Sequence, residues 1–319
     1  MTISFKKIIS LAIPLIIGIA IIYYQFSTLT QEQLKTIESC FKKADYFYVF
    51  LSLVIALFGY WSRSYRWKYA LNHLGYKTNF YNDFLSVCVS YLVNLTIPRS
   101  GEVSRAVLLK KYENVPFDKG FGTIVAERLV DLLVFFIFLI FAFVLQFDKL
   151  YSFLSSNISF PNLIIVACFL AISFVVLLYF WIYSNHKIIL NLKQKLAGLT
   201  EGMLSIIKMK DKWKYIFHSF FLWFVYLAMF FVSFYALPET QNIPFDIILM
   251  GFVFGSLAIG FTNGGLGAYP LAIAMVFSLF GIQREISIAF GWLVWTSQTI
   301  LTIIIGLVAY LLLPIINKK

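Results

Sequence analysis

A short run of charged residues follows a proline inside an otherwise apolar chain. Arg99, Glu102 and Arg105 lie close together, directly after Pro98. Proline lacks a backbone N–H and tends to end the helix before it, so we expect a new helix to begin near Glu102. A helix N-terminus carries free N–H groups and a positive dipole end, and arginine forms bidentate contacts with phosphate. The segment therefore predicts a site for a phosphate or a carboxylate.

The residues around this run fit a turn between two helices. Asn94 precedes the proline, and Ser100 and Gly101 suit the turn, with Ser100 as the expected cap of the second helix. Glu102 is placed to pair with Arg105 at i+3, or to take part in charge movement. The alternative is a solvated loop whose charges only set the topology.

A glycine cluster interrupts the second half of the chain. It comprises Asn263, Gly264, Gly265, Gly267 and Tyr269, with Pro270 directly after. Three glycines and a proline this close together cannot belong to one continuous apolar helix. Broken backbone at membrane depth persists only where it is buried in protein or lines a wet cavity. The cluster thus predicts the second wall of a polar groove, and the alternative is an ordinary tight turn between two spans.

A third charged group immediately precedes a long apolar run. On a helix, Glu127 and Asp131 share a face at i+4, and Arg128 reaches Asp131 at i+3. A charge at the bilayer centre costs about 2.5–3.5 kcal/mol, so such residues normally face a partner or a cavity. These charges are candidates to satisfy Arg99 and Arg105. The alternative is the cytoplasmic end of a helix, where charges cost little.

The elements that hold these groups are those of a membrane protein. Apolar residues make up 61% of the chain and charged residues 13%, against about 25% charged in soluble domains. The mean hydropathy is +0.83. The basic residues behind the net charge of +11 lie between apolar segments, which indicates anionic lipid headgroups and topology rather than nucleic acid. We therefore expect one membrane domain over 1–319 and no soluble catalytic domain.

The apolar segments predict an all-α, polytopic helix bundle of about eight spans. The longest candidates are 8–26, 46–62, 129–147, 162–183, 215–237 and 288–314, and two shorter ones are 246–262 and 266–282. A ninth apolar run, 84–97, is shorter than a span requires.

The distribution of basic residues predicts that 84–97 enters the membrane and returns. With that topology, 21 of the 26 Lys and Arg residues lie on the cytoplasmic side. Both termini are then cytoplasmic. The rule does not decide whether 246–282 is two spans or a re-entrant hairpin. The segment 187–214 is interpreted either as an amphipathic helix on the cytoplasmic leaflet or as a charged connector.

One broken segment falls in each half of the chain, near 84–105 and near 254–274. Paired interruptions of this kind are typical of inverted-repeat transporters with a site at the midplane. The repeat is a hypothesis, because residue-level identity between the halves is not convincing. Trp61, Tyr65 and Trp67, with the neighbouring Arg63 and Arg66, are interpreted as an interfacial anchor.

No metal or cofactor is expected. The cysteines and histidines are scattered and have no metal-ligand spacing: Cys40, Cys88, Cys168, His73, His186 and His218. No GxxxxGK[ST] loop for nucleotide binding is present in the sequence.

The combination of motifs resembles a known family. Asn94…Pro98-Arg99-Ser100-Gly101-Glu102…Arg105, Glu127-Arg128…Asp131 and Asn263-Gly264-Gly265-Leu266-Gly267 resemble the flippase-like membrane domain of lysylphosphatidylglycerol synthases. The resemblance implies a prokaryotic cytoplasmic-membrane protein that moves a lipid between leaflets. In the synthases a soluble C-terminal domain aminoacylates the lipid, and we do not expect that activity here. Many relatives carry charges where this chain has Ala268-Tyr269-Pro270, which leaves the lipid class open.

The leading hypothesis is a lipid flippase or scramblase, not an enzyme, acting on an anionic or phosphate-bearing lipid. The runner-up is a membrane-embedded enzyme that uses Glu102, Glu127 and Asp131 as acid–base groups. A structural or assembly protein is the third. The expected partner is the membrane lipid, and a second copy of the chain or a lipid-synthesising protein are further candidates.

Overall fold

The computed structural model describes residues 5–97, 99–148, 206, 208–262 and 264–318, with side chains from residue 16 onward. Within these ranges the protein is all-helical, with ten α-helices and no strand. The helices are α1 Phe5–Ser27, α2 Gln31–Lys43, α3 Tyr46–His73, α4 Phe80–Thr96, α5 Ser100–Glu113, α6 Phe117–Leu145, α7 Lys212–Ser233, α8 Phe245–Phe261, α9 Ala268–Ser278 and α10 Arg284–Ile316. A 3₁₀ turn, Phe234–Ala236, extends α7. The predicted span 162–183 and most of 187–214 lie outside the described residues.

Four described helices are long and apolar enough to cross a membrane: α3, α6, α7 with its 3₁₀ turn, and α10. They contain the predicted spans 46–62 and 288–314 and cover all but the last one or two residues of 215–237 and 129–147. This confirms an all-helical membrane protein with several spans. Helices α8 and α9 are shorter and also apolar, and the part of α1 with described side chains, Ile16–Ser27, is apolar as well. The outer faces of the long helices carry exposed apolar side chains, among them Ile140 and Leu311. Such surfaces are compatible with lipid and not with water.

Helices α4 and α5, between α3 and α6, form a helical hairpin whose two ends are hydrogen-bonded to each other. The backbone N–H of Asn79 and the amide of Asn82 donate to the carboxylate of Glu113, at 3.1 and 2.5 Å. The start of α4 and the end of α5 therefore lie side by side. Asn82 and Asn317 also exchange two amide hydrogen bonds of 2.9 and 2.8 Å, which places the end of α10 beside the same hairpin mouth.

Helices α8 and α9 form a second hairpin, which opens at the opposite end of the molecule. Helix α6 has 29 residues, about 43 Å of helix, and leads away from the first mouth. At its far end Gln146 donates a 2.5 Å hydrogen bond to Asp246, at the start of α8. The 11 residues of α9 reach only about 17 Å, too short to cross a bilayer core of about 30 Å. Residues 246–282 thus form a hairpin and not two full spans.

The same order of elements occurs twice in the described chain. A long helix, a hairpin and a second long helix follow one another as α3, α4–α5, α6 and again as α7, α8–α9, α10. The two hairpins open at opposite ends. The two halves pack against each other. The first long helices of the two halves, α3 and α7, make the most extensive contact, and α10 of the second half packs against α4 of the first hairpin.

An aromatic core lies at the mouth of the second hairpin. The rings of Phe234 and Phe290 are 4.2 Å apart, and Phe230 and Phe277 pack around them. Aromatic pairs at such distances contribute about 0.5–1.5 kcal/mol each beyond the burial of their area. Cys40, on the neighbouring α2, is a buried free thiol, and burial raises its pKa to about 11. This thiol therefore remains protonated near neutral pH.

Candidate functional site: a buried arginine–carboxylate network

The centre of the site is a pair of carboxylates on one face of α6. The two carboxylate oxygens of Glu127 form ion pairs with Arg63 of α3, at 2.5 Å, and with Arg105 of α5, at 2.9 Å. Arg66 of α3 lies 3.0 Å from Glu127 and 2.5 Å from Asp131. Arg63 also reaches Asp131, at 3.2 Å. Three helices are therefore joined through two acidic side chains.

Burial makes this pairing obligatory. The side chains of Arg63, Arg66, Arg105 and Glu127 are almost fully buried, and that of Asp131 is 10% exposed. Glu127 lies ten residues beyond the start of α6, about 15 Å along the helix axis. An uncompensated buried charge costs several kcal/mol, whereas a paired and hydrogen-bonded one is tolerated. Each arginine here has at least one carboxylate oxygen within hydrogen-bonding distance.

Aromatic rings complete the environment of the three buried arginines. The guanidinium of Arg105 lies 3.7 Å from the ring centroid of Trp67, whose indole N–H donates to Thr123 at 2.9 Å. Arg63 lies over Tyr91 at 5.6 Å, and Arg66 lies over Tyr215 at 5.7 Å. A cation over an aromatic face gains about 0.5–2 kcal/mol, more when water is excluded. The rings thus add to the stabilisation of the three buried guanidinium groups.

A fourth arginine lies at the open edge of the network. The side chain of Arg128 is 42% exposed, and its contacts to Glu102, Glu127 and Asp131 are each 3.5 Å long. Together the network contains four arginines and three carboxylates, an excess of one positive charge. The site can therefore accept an anion at the side where Arg128 is accessible.

Tyrosine hydroxyls extend the polar surface away from the arginines. Arg63 donates to the hydroxyl of Tyr226 at 3.4 Å, and the hydroxyls of Tyr226 and Tyr91 are 2.9 Å apart. The ring of Tyr91 lies 4.9 Å from that of Tyr60, whose hydroxyl is 3.0 Å from Thr302 of α10. These half-buried groups connect the network to the last helix. The sequence analysis did not identify them, because tyrosines are common throughout this chain.

The structure corrects the local interpretation of the first turn. Helix α5 begins at Ser100, and its N-cap is Arg99 in the left-handed conformation with φ 61°. Ser100 donates to the carbonyl of Ile97 at 2.5 Å and does not cap the helix. Instead the side chain of Asn94 accepts the N–H of Gly101 at 2.7 Å. One free N–H of the helix terminus is therefore already satisfied by the preceding helix.

The predicted charge partners were also partly wrong. Glu102 does not pair with Arg105. It lies 3.5 Å from Arg128, while Arg105 pairs with Glu127. Of the two arginines that the acidic group was expected to satisfy, only Arg105 is reached, and Arg99 is exposed at the turn. The predicted contact between Arg128 and Asp131 at i+3 is confirmed.

The prediction that five residues of α3 anchor the protein at the membrane interface was wrong for three of them. Arg63, Arg66 and Trp67 are buried inside the network and do not lie at a lipid interface. A signal was present in the sequence: two arginines three residues apart in one span match two carboxylates four residues apart in another, and both pairs occupy one helical face. Neither pair alone indicates its partner, because the two pairs lie on helices that are 64 residues apart in the chain.

The tips of the two hairpins meet. A Cβ at Gly264 would lie 3.3 Å from Leu95 at the end of α4. Positive φ angles of 62°, 79° and 70° at Gly264, Gly265 and Gly267 form the second tip, which explains the need for glycine there. Tyr269 lies in the hydrophobic core against Gly255, away from the arginines. The predicted site residues Pro98 and Asn263 lie outside the described residues.

Side-chain donors hold the second tip in place. The indole N–H of Trp295 donates to the carbonyl of Gly264 at 2.7 Å, and the amide of Gln25 donates to that of Gly267 at 2.5 Å. Among the described residues, no group of three or more His, Cys, Asp and Glu side chains is placed to hold a metal ion.

Replacing Trp295 by Phe will lower the free energy of unfolding by about 1–3 kcal/mol, because the half-buried Gly264 carbonyl loses its donor while the aromatic ring is kept. The measurement is the thermal midpoint of the purified protein in detergent. Trp213→Phe is the control, because Trp213 is exposed at the start of α7. Equal midpoints for the two variants would contradict a role for the indole N–H in holding the tip.

A multi-pass membrane protein with two helical hairpins and a buried ion-pair network is the class that this geometry defines. The chain belongs to the family described as the lysylphosphatidylglycerol synthase TM region, whose model matches residues 10–306. This confirms the family indicated by the sequence motifs.

Two archaeal proteins illustrate the similarity. A UPF0104 membrane protein of Methanocaldococcus jannaschii is 26% identical over 304 residues, covering 85% of this chain and 87% of that protein. A UPF0104 membrane protein of Methanothermobacter thermautotrophicus is 26% identical over 281 residues, covering 79% and 81%. No solved structure matches the chain.

Proposed function

We propose that this protein moves a phosphate-bearing, anionic lipid between the two leaflets of the membrane. The observation that carries the proposal is the arginine network of α3, α5 and α6, with one positive charge in excess and Arg128 accessible at its edge. Membership of a family of lipid-synthase membrane regions supports a lipid-related role. A phosphate headgroup would bind the arginines while the acyl chains remain in the bilayer.

The architecture supports a translocation pathway. We propose that both hairpins are re-entrant, entering from opposite leaflets and meeting where Gly264 contacts Leu95. The repeated order of long helix, hairpin and long helix would then be an inverted repeat, the arrangement in which many transporters place a midplane site. In such a fold, movement of one repeat against the other exposes the site to alternate sides of the membrane.

The proposed orientation places the mouth of the first hairpin in the cytoplasm. The end of α10 lies at that mouth, because Asn317 is hydrogen-bonded to Asn82. In this orientation 21 of the 26 Lys and Arg residues are expected on the cytoplasmic side, as the positive-inside rule requires. Both termini would then be cytoplasmic, in the cytoplasmic membrane of a prokaryotic cell. The archaeal relatives are compatible with this location. A second copy of the chain or a lipid-synthesising protein remain the proposed partners.

Transport is proposed in preference to catalysis. An acid–base role requires a carboxylate that can exchange its proton with a substrate. Glu127 and Asp131 each contact at least two arginines, and these contacts occupy the carboxylate oxygens that an acid–base role would need. The network therefore suits the binding of an anion better than the transfer of a proton.

A reconstituted transport assay tests the proposed function. Purified protein in proteoliposomes would be supplied with labelled phosphatidylglycerol, its aminoacyl form, a polyprenyl phosphate and a neutral diacylglycerol, and movement between leaflets would be followed. We expect at least one phosphate-bearing lipid to move faster than in protein-free vesicles, and the neutral lipid not to. Arg128→Gln should reduce the rate at least tenfold, and Lys119→Gln, an exposed change on the same helix, should not. Folded protein that accelerates no lipid would contradict the proposal.

A further inference from the structure

We infer that Glu102 is a built-in competitor for the substrate phosphate at Arg128. The inference rests on the proposed function and assigns the anion-binding role within the network to one arginine. In the described conformation the carboxylate of Glu102 lies 3.5 Å from Nε of Arg128. An anionic headgroup binds by taking this place, and release of the headgroup lets the carboxylate return.

The four arginines of the network differ in how far they are committed to protein partners. Arg63, Arg66 and Arg105 are buried and each has a carboxylate oxygen at 2.5–2.9 Å. Charge-assisted hydrogen bonds at such distances are the strong ones. Arg128 has only contacts of 3.5 Å and is 42% exposed. It is therefore the arginine of this network that can turn its guanidinium to a ligand without breaking a short ion pair.

The three carboxylates differ in the same way. Each oxygen of Glu127 and Asp131 lies within 3.2 Å of a guanidinium nitrogen. Glu102 has one oxygen 3.5 Å from Arg128, and its other oxygen is buried without a hydrogen-bond partner among the described residues. A buried acceptor left unpaired costs about 1–3 kcal/mol, so the present position of Glu102 is weakly held. It is the carboxylate that a competing anion displaces at the lowest cost.

The charges indicate the class of ligand. Glu102 gives up its contact with Arg128 but keeps its charge within the site, so four arginines still face three carboxylates there. A singly charged phosphodiester neutralises the remaining excess of one positive charge. Glu102 also limits the affinity, because an incoming anion must first displace its carboxylate from Arg128. A transporter needs this limit, since a site that binds too tightly does not release its ligand. The predicted ligand is thus a lipid phosphodiester with one net negative charge.

Binding of a water-soluble probe tests the inference separately from transport. Dihexanoyl phosphatidylglycerol would be titrated into the purified full chain in a non-ionic detergent and followed by calorimetry. We expect Glu102→Gln to lower Kd about tenfold and Arg128→Gln to raise it about tenfold, where tenfold corresponds to about 1.4 kcal/mol. In the double variant, the gain from Glu102→Gln should vanish, because its effect acts through Arg128. Asp118→Asn, the same charge change at an exposed position of α6, should leave Kd unchanged.

The outcomes separate this inference from the proposed function. Unchanged or weaker binding by Glu102→Gln, together with lipid movement by the unmodified protein, overturns the competitor role and leaves transport intact. A gain that persists in the double variant also overturns it, because Glu102 would then act on another group. The expected pattern of Kd values without lipid movement by any variant supports the anion site and contradicts transport. Thermal midpoints of all variants verify that each is folded.

Discussion

Replacing Glu127 by Gln will destabilise the folded protein by about 3–5 kcal/mol, the cost of breaking a buried ion pair from one side. The substitution keeps the size of the side chain but removes the charge that three arginines share. Arg105 loses its carboxylate partner entirely, and Arg63 and Arg66 are left with Asp131 alone. The measurement is the free energy of unfolding from denaturant titration in mixed micelles.

Two further variants make this result specific. Asp118→Asn removes an exposed carboxylate from the same helix and should change stability by less than about 0.5 kcal/mol. Arg105→Met in the Glu127→Gln background should recover part of the loss, because an apolar side chain of similar volume leaves no unpaired charge. If the single Glu127→Gln variant costs under about 1 kcal/mol, water must reach the arginines and the network is not buried as described.

Replacing Gly101 by Val will open the first hairpin and abolish lipid movement. A Cβ at this position would lie 2.1 Å from the backbone carbonyl oxygen of Ser90 and 2.6 Å from the amide of Asn94. Both distances are too short for a carbon atom, so α4 and α5 would have to move apart. Overpacking costs about 1–3 kcal/mol, and loss of the hydrogen bond from the Gly101 N–H to Asn94 adds about 1 kcal/mol. Separation of α5 from α4 would also move Arg105 away from Glu127.

The measurement for this variant combines the transport assay with limited proteolysis of the hairpin. Gly122→Ala is the matched control, because an added Cβ at Gly122 of α6 meets nothing within 4 Å. This control should keep full transport and equal or better stability, since Ala is the stronger helix former. A Gly101→Val protein that moves lipid at the normal rate would show that the tight contact between α4 and α5 is dispensable.

Much of the framework could be predicted from local sequence. The apolar runs at 46–62, 129–147, 215–237 and 288–314 fall within long helices apart from at most two residues at their ends, because the length and apolarity of a span are properties of consecutive residues. The break after Thr96 was also predictable, because Pro98 ends the helix before it. Both breaks form hairpin tips in the structure.

The partners within the site could not be predicted in the same way. Glu102 and Arg105 have the right spacing for an i+3 pair, yet Arg105 lies on the buried face of α5 and meets Glu127 of α6 instead. Local spacing contributes only about 0.2–0.5 kcal/mol on a helix surface, and burial of an arginine without a partner costs several times more. The buried contact therefore prevails over the local one.

The sequence by itself determined the class of protein, the position of the four described long helices, the two breaks and five of the seven charged residues of the network. Only the tertiary structure decided that 246–282 is a hairpin and that Arg63 and Arg66 belong to the site, because both depend on which helices pack together. Glu127 and Arg63 are 64 residues apart in the chain and 2.5 Å apart in space. Hydropathy is read along consecutive residues, whereas the pairing of buried charges is set by the low-dielectric interior that packing creates.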